Sequence, residues 1–499
     1  MRAWGLLVVL GVFVGCAGEA GVATERADSV PRTSAPAPRS TALGPDVSPT
    51  TEPTASASPD GIGDMLFPDL GNPGIDVQHY DVSLDYDHST HTVNGTVAID
   101  LLLTDTREEL TLDSTGSDIE AVTVDGETVT FTRDDPELRI ELPSPATAGT
   151  ELAVEVVFTD EVAPEPSDSG GPLGWFVTDG GAFLLVEPDG LRAVMPCNDH
   201  PIDKATYTFH LSIDDPLTAI ANGELVARTP DGATGTTTFV WEQRQPMASY
   251  LVQLLVGDYV IIDDTAPNGL PLTSVVLRAD SDSIDAALAM TNEQIDYFTD
   301  VLGPYPLDRY GIAVTDSFGG LAMETQGRSM FSRDDVLGPD PPGELLAHEL
   351  AHQWFGNAVT LERWVDIWLN EAFATYSSWL WNEHVGDGRV QARAERSLAA
   401  RGSGSTGLPE ASTLFGYNSY DGGAVVLHAL RLSIGDDAFF ELLRRWVAQY
   451  NGTSQGTEDF VALAEDVSGA DLDDFFSTWL YATELPAEFP AGFPAGSPA

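Results

Sequence analysis

His348-Glu349-Leu350-Ala351-His352-Gln353-Trp354-Phe355-Gly356 is followed, after a short interval, by Trp368-Leu369-Asn370-Glu371-Ala372-Phe373-Ala374. The first five residues read H-E-x-x-H, and on a helix an i to i+4 spacing puts both imidazoles on one face. Two neutral histidines so placed can grip one zinc ion, with Glu349 between them positioned to take a proton from water. Glu371 follows His352 by 19 positions, room for a short turn and a return helix, and is the nearest downstream candidate for a third ligand. A structural zinc closes its coordination with four protein ligands, whereas a hydrolytic one keeps a position open. No cysteine lies near, so His348, His352 and Glu371 predict an open, catalytic Zn2+, one per chain.

Outward from this pair, helical periodicity predicts runs at Ser283 to Val301, Gly343 to Phe355, Trp368 to His384, Gly422 to Ser433, Asp437 to Gln449 and Asp471 to Leu480. A short strand at Ser274 to Arg278 precedes them. Upstream, from residue 75 to 262, the pattern is all strand: Tyr80 to Tyr86 alternates strictly, and β-rich runs recur between turn signals such as Asp125-Gly126 and Pro230-Asp231-Gly232. The expected architecture is multidomain, an N-terminal antiparallel β domain of saddle or sandwich type over 67–264, then a mostly helical zinc domain over 265–486. A flexible Pro/Gly/Ala tail is expected over 487–499.

The composition excludes some partners. Lys+Arg total 23 against 78 Asp+Glu, for a formal net charge of -55. Such a chain repels phosphate backbones, which excludes nucleic-acid binding. Lys204 is its one lysine. Two cysteines, Cys16 and Cys197, cannot make a disulfide scaffold, and Cys197 reads as a small buried hydrophobe. Met1-Arg2 followed by the apolar run Leu6 to Val14 reads as a signal peptide over 1–15, too short to span a bilayer. Phe13-Val14-Gly15-Cys16 resembles a bacterial lipobox, with Phe13 where Leu is usual. That predicts lipidation of Cys16 and a protein anchored to the outer face of a bacterial cell membrane; a secreted protein is the alternative. Residues 16–66, rich in Ser, Thr, Ala and Pro, read as a disordered tether.

His348 to Gly356 (HELAHQWFG) with Trp368 to Ala374 (WLNEAFA) closely resembles the aminopeptidase N family of zinc peptidases, which includes the leukotriene hydrolase. The likeness extends over residues 75 to 485, including Pro196-Cys197-Asn198-Asp199-His200-Pro201 and Lys204-Ala205-Thr206. It implies a β saddle followed by a thermolysin-like catalytic domain, and it makes Glu371 the third zinc ligand. Leu321-Ala322-Met323-Glu324-Thr325 resembles the family's G-x-M-E-N loop, with Leu for Gly and Thr for Asn. This implies that Glu324 holds the substrate's free amine, and that Ala322 and Met323 line the substrate. Glu187, in Val186-Glu187-Pro188, matches a second amine-binding glutamate, with Leu185 where many members have Gln. Tyr420-Asp421-Gly422-Gly423-Ala424 resembles Y-x-K-G-A, which implies an oxyanion-stabilising Tyr420; Tyr417 is the runner-up, and Gly422 replaces the usual lysine.

The expected function is hydrolysis of the first peptide bond of peptides with a free N-terminus, by a monomer. Glu349 acts as general base, Tyr420 faces the oxyanion, and Glu324 and Glu187 anchor the α-ammonium. An endopeptidase or another zinc hydrolase, epoxide hydrolysis included, and a silent peptide-binding lipoprotein are the alternatives. His428 and His384 read as packing or surface histidines.

Overall fold

The computed structural model describes residues 61–491 except 135, 168 and 170. The signal segment, Cys16 and the tether up to residue 60 lie outside the described residues.

Residues 75–257 form the β domain. Its main sheet has eight strands, in the order Glu224–Asp231, Thr236–Ala248, Lys204–Asp214, Ile75–Asp87, Thr92–Leu103, Glu151–Glu161, Asp118–Val124 and Glu127–Thr128. Alternation drives it: Tyr80, Val82, Leu84 and Tyr86 point into the core while their neighbours face outward. One pair departs from the antiparallel expectation, because Ile75–Asp87 and Lys204–Asp214 run parallel. Five- and three-stranded sheets complete the domain, and the five-stranded one carries Gly181–Leu185 just before Glu187.

A second five-stranded sheet opens the catalytic half, in the order Tyr259–Thr265, Pro271–Leu277, Ile312–Thr315, Ser329–Ser332 and Ala322–Met323. Tyr259–Thr265 therefore belongs to the second sheet, and the architecture changes at Gly257-Asp258, ahead of the expected 264. Seven helices of eight or more residues follow among the described residues: α1 (Asp285–Leu302), α2 (Gly343–Ala351), α3 (Trp368–Val385), α4 (Val390–Ala400), α5 (Asp421–Ile434), α6 (Asp436–Tyr450) and α7 (Thr457–Ser468). α4 and α7 were not among the expected runs. No helix of the described residues is long and apolar enough to cross a membrane.

Both ends of the described chain are packed. Asp64, inside the segment read as tether, is buried and accepts hydrogen bonds from the Trp364 backbone N–H at 2.9 Å and the Phe67 N–H at 3.0 Å. Its Oδ2 also meets His200 Nε2 at 3.2 Å. Phe489, inside the segment read as tail, stacks on Trp479 at 5.6 Å.

Candidate active site

α2 starts directly behind Pro341-Pro342, where a helix cannot continue upstream. It sets His348 and His352 one turn apart, with their Nε2 atoms separated by 3.1 Å. α3 packs along α2 and is buried on all sides from Trp368 to Trp381, the mark of a central helix. Its first turn brings Glu371 Oε2 to 3.4 Å from His348 Nε2 and 3.5 Å from His352 Nε2. A tetrahedral ion with bonds of about 2.0–2.1 Å holds its ligand atoms roughly 3.3 Å apart, so these three donors fit zinc. His352 Nδ1–H donates to the Phe355 carbonyl at 3.2 Å, leaving Nε2 free to coordinate.

Four carboxylates converge here. Oxygens of Glu187, Glu324 and Glu371 lie within 4.8 Å of one another, and Glu324 and Glu349 share the same spacing with His352. Burial and the neighbouring acids push the Glu187 carboxyl well above its usual range. Burial raises Glu349 and Glu324 as well, against the opposing pull of His352. Glu371 goes the other way: burial would raise it, but the two imidazoles hold it down. His352 moves up despite its burial, because Glu371 and Glu324 face it. Glu187 Oε1 and Glu324 Oε1 are both buried without a hydrogen-bond partner.

Ala322–Met323 forms the sheet edge beside Glu324, paired on one side only with Met330 and Phe331. The loop beyond is held from both domains. Glu324 O accepts from Gln353 Nε2 at 3.0 Å and Asn357 Nδ2 at 2.6 Å. Thr325, where the resemblance expects Asn, turns its hydroxyl to Gln253 Nε2 at 2.8 Å and so has a structural place. Arg328 donates to Ala221 O at 2.8 Å and Thr273 O at 2.9 Å.

Tyr420 precedes α5, and its ring stacks on His348 at 5.9 Å with an interplanar angle of 12°. Burial, reinforced by the four glutamates, pushes its hydroxyl well above its ordinary value, so it stays a donor. Gly423 permits this placement: a Cβ there would come within 2.5 Å of the Ala372 Cβ on α3. At Gly422, which stands where lysine is usual in the motif it resembles, a Cβ would lie 3.0 Å from Arg401 Nε, which takes up that space. Tyr417 donates its hydroxyl to Ser397 O at 2.9 Å, which commits it elsewhere. Cys197 is fully buried, His428 bonds Tyr376 and Gln391, and His384 stacks on Tyr297 at 4.3 Å.

The structure thus brings together Glu187, Glu324, His348, Glu349, His352, Glu371 and Tyr420, with Ala322–Met323 on the strand that leads to Glu324. Gln353, Asn357 and Tyr250, whose hydroxyl donates to Gly356 O at 3.1 Å, were not expected. For the first two a signal existed: buried amides in so apolar a stretch need partners.

The model of the "Peptidase family M1 domain" matches residues 286–479, and that of the "Peptidase M1 N-terminal domain" matches 76–251. Aminopeptidase M1-B of Oryza sativa subsp. japonica is 30% identical over 322 residues, covering 60% of this chain and 36% of that one. Leucyl aminopeptidase of Saccharolobus solfataricus is 25% identical over 437 residues, 81% of this chain and 53% of that one. The chain thus spans about a third to a half of the length of the curated relatives it matches. The crystal structure of the M1 zinc metallopeptidase from Deinococcus radiodurans is 28% identical with a TM-score of 0.79, covering 87% of this chain and 100% of that one. A mutant of that enzyme bound to a Tyr-Ser-Ala substrate has a TM-score of 0.78 at 28% identity, with the same coverage.

Proposed function

Because this chain belongs to peptidase family M1, we propose that it is a zinc-dependent aminopeptidase that removes the first residue of peptides with a free amino terminus. The observation that carries the proposal is the pair of buried carboxylate oxygens without a hydrogen-bond partner, Glu187 Oε1 and Glu324 Oε1, next to the His348–His352–Glu371 donor set. A protonated α-amine is the cation that fits there, and its fixed distance from the metal selects chain ends over internal bonds. Relatives named aminopeptidases, and a structural neighbour bound to Tyr-Ser-Ala, support it.

His348, His352 and Glu371 would hold the zinc, which would supply Lewis acidity toward the scissile carbonyl and water. Glu349 takes the proton from the attacking water and hands it to the leaving amine. Burial raises its carboxyl above the ordinary carboxylate range, which makes it a stronger base for that step. Tyr420 donates to the carbonyl oxygen as negative charge develops on it. The free edge of Ala322–Met323 lays the peptide backbone alongside as an added strand, while Glu187 and Glu324 hold its amine. A panel of aminoacyl amides and their N-acetylated counterparts, with and without chelator, tests this. Equal cleavage of blocked and free substrates would reject it.

The address is proposed from sequence: a lipid on Cys16, with the Ser/Thr/Pro/Ala stretch holding the catalytic body clear of the membrane. A Cys16→Ser chain should then leave the membrane fraction for the soluble one. If the unaltered chain is soluble already, the anchor is wrong.

A further inference from the structure

Lys204, the one lysine of the chain, is half-buried where the β domain meets the catalytic domain, and its ammonium is desolvated there. Its Nζ donates to the backbone carbonyls of Asn357 at 2.8 Å and Ala358 at 3.3 Å. Among the described residues no carboxylate pairs with it in ion-pair geometry, although the sequence holds 78 acidic residues. Burying an ammonium without a counter-ion is costly. The two carbonyls do not require it for satisfaction. Thr360 Oγ1 also reaches Asn357 O at 3.3 Å, and the Gly452 N–H donates to Ala358 O at 2.7 Å. The desolvated cation is thus expensive, and its acceptors would keep partners without it.

What it holds in place is informative. The Asn357 side chain is the shortest contact to the Glu324 backbone, with Nδ2 to O at 2.6 Å. Asn357 also closes the turn after α2, its N–H donating to His352 O at 3.0 Å. Tyr250, from the β domain, fixes the preceding residue through Gly356 O at 3.1 Å. Two β-domain side chains therefore grip consecutive peptide units of one turn, and that turn grips the loop bearing Glu324.

We propose that Lys204 is a positioning residue for amine recognition: it clamps the Asn357 turn from the β domain, and Asn357 in turn sets the register of Glu324 against the metal ligands. The inference rests on the aminopeptidase reading for its kinetic consequence but not for its structural one. A misplacement of about 1 Å at a substrate anchor can lower turnover on the order of 100-fold. One lost clamp of two should have a smaller effect.

The test compares zinc-loaded unaltered protein with Lys204→Met, Asn357→Ala and the double variant. Methionine keeps most of the buried volume and leaves both carbonyls partnered, so the fold should survive; Lys204→Leu serves if it does not. Three quantities are read: zinc stoichiometry, amide hydrogen exchange over residues 320–328, and KM and kcat for free-amine substrates. With Lys204→Met, exchange over 320–328 should rise and KM should increase about tenfold, with a smaller change in kcat and unchanged zinc. The double variant should be no worse than Asn357→Ala alone, because both act through one path. Additive losses in the double variant, or unchanged exchange over 320–328, would overturn the proposal. If the unaltered enzyme fails to prefer free amines, the aminopeptidase reading falls, and the exchange comparison still decides the role of Lys204.

Discussion

Glu349 and the three metal donors share one pocket but can be separated by substitution, because only the donors compete for the ion. His348→Ala, His352→Ala and Glu371→Ala should each lose bound zinc, measured by metal analysis of the purified protein. Glu349→Gln should keep zinc and lose about 10²–10⁴-fold in kcat, the usual worth of a positioned general base. Stoichiometric zinc and intact activity in His348→Ala would remove the ligand assignment. Tyr420 is separable in another way. Its ring packs on His348, so Tyr420→Phe keeps the stack and deletes only the hydroxyl. We expect kcat to fall roughly 10²-fold with little change in KM, the signature of a contact made mainly in the transition state. A Tyr417→Phe control should leave kcat unaltered.

At the level of elements, the segment Pro196–Pro201 explains itself by hydrogen bonding. Asp113 Oδ2 accepts from Asn72 Nδ2 at 2.7 Å and from the Asp199 N–H at 2.8 Å, while Asp199 Oδ2 accepts from the Arg192 N–H at 2.9 Å. Burial, then the charge of Asp199, pushes Asp113 up to about 7, and burial pushes Asp199 up to about 6. A carboxyl raised in the folded state binds more protons there than in the unfolded chain. Its stabilisation is complete below about pH 4 and is lost as pH rises through 6 to 7. Tm should therefore fall between pH 5 and 8, and Asp113→Asn should flatten that slope; an unchanged slope would exclude Asp113 as its source. The metal pair on α2 was legible because i to i+4 spacing is local, and Glu371 because it opens the next helix. Glu324 and Glu187 came only through resemblance, since nothing within a few residues of either marks it off from other surface acids. The role of Lys204 was not legible at all, because it acts on backbone carbonyls, which carry no residue-type signal; for Asn357 and Gln353 the sequence said only that buried amides need partners, not which ones. Strand Tyr259–Thr265 fell on the wrong side of the expected boundary because nothing in Tyr-Val-Ile-Ile-Asp-Asp-Thr marks which sheet it joins. α4 stayed hidden because only Val390, Ala394 and Ser397 are buried, too sparse an apolar stripe, whereas α7 carries Phe460, Leu463 and Ala464 at helical spacing and was within reach of the same rule.

Over the whole molecule the net charge of -55 dominates. Repulsion among carboxylates opposes the compact state most at low ionic strength, where the Debye length reaches about 30 Å at 0.01 M. Near 1 M it shrinks to about 3 Å, so Tm should climb with NaCl from 0.02 to 2 M. A flat or falling series would reject that account and leave the zinc chemistry untouched. Cationic peptides should also bind more weakly as salt rises, because the acidic cleft that attracts them is screened. The solitary lysine has a last consequence, for chemistry done on the protein from outside. Lys204 is half-buried with its Nζ engaged on two backbone carbonyls, so a water-soluble active ester should acylate it faster when the two domains part or the chain unfolds. Acylation at that one position, followed by mass spectrometry, is then an intrinsic clock for domain opening, with no label to introduce and no background from other lysines.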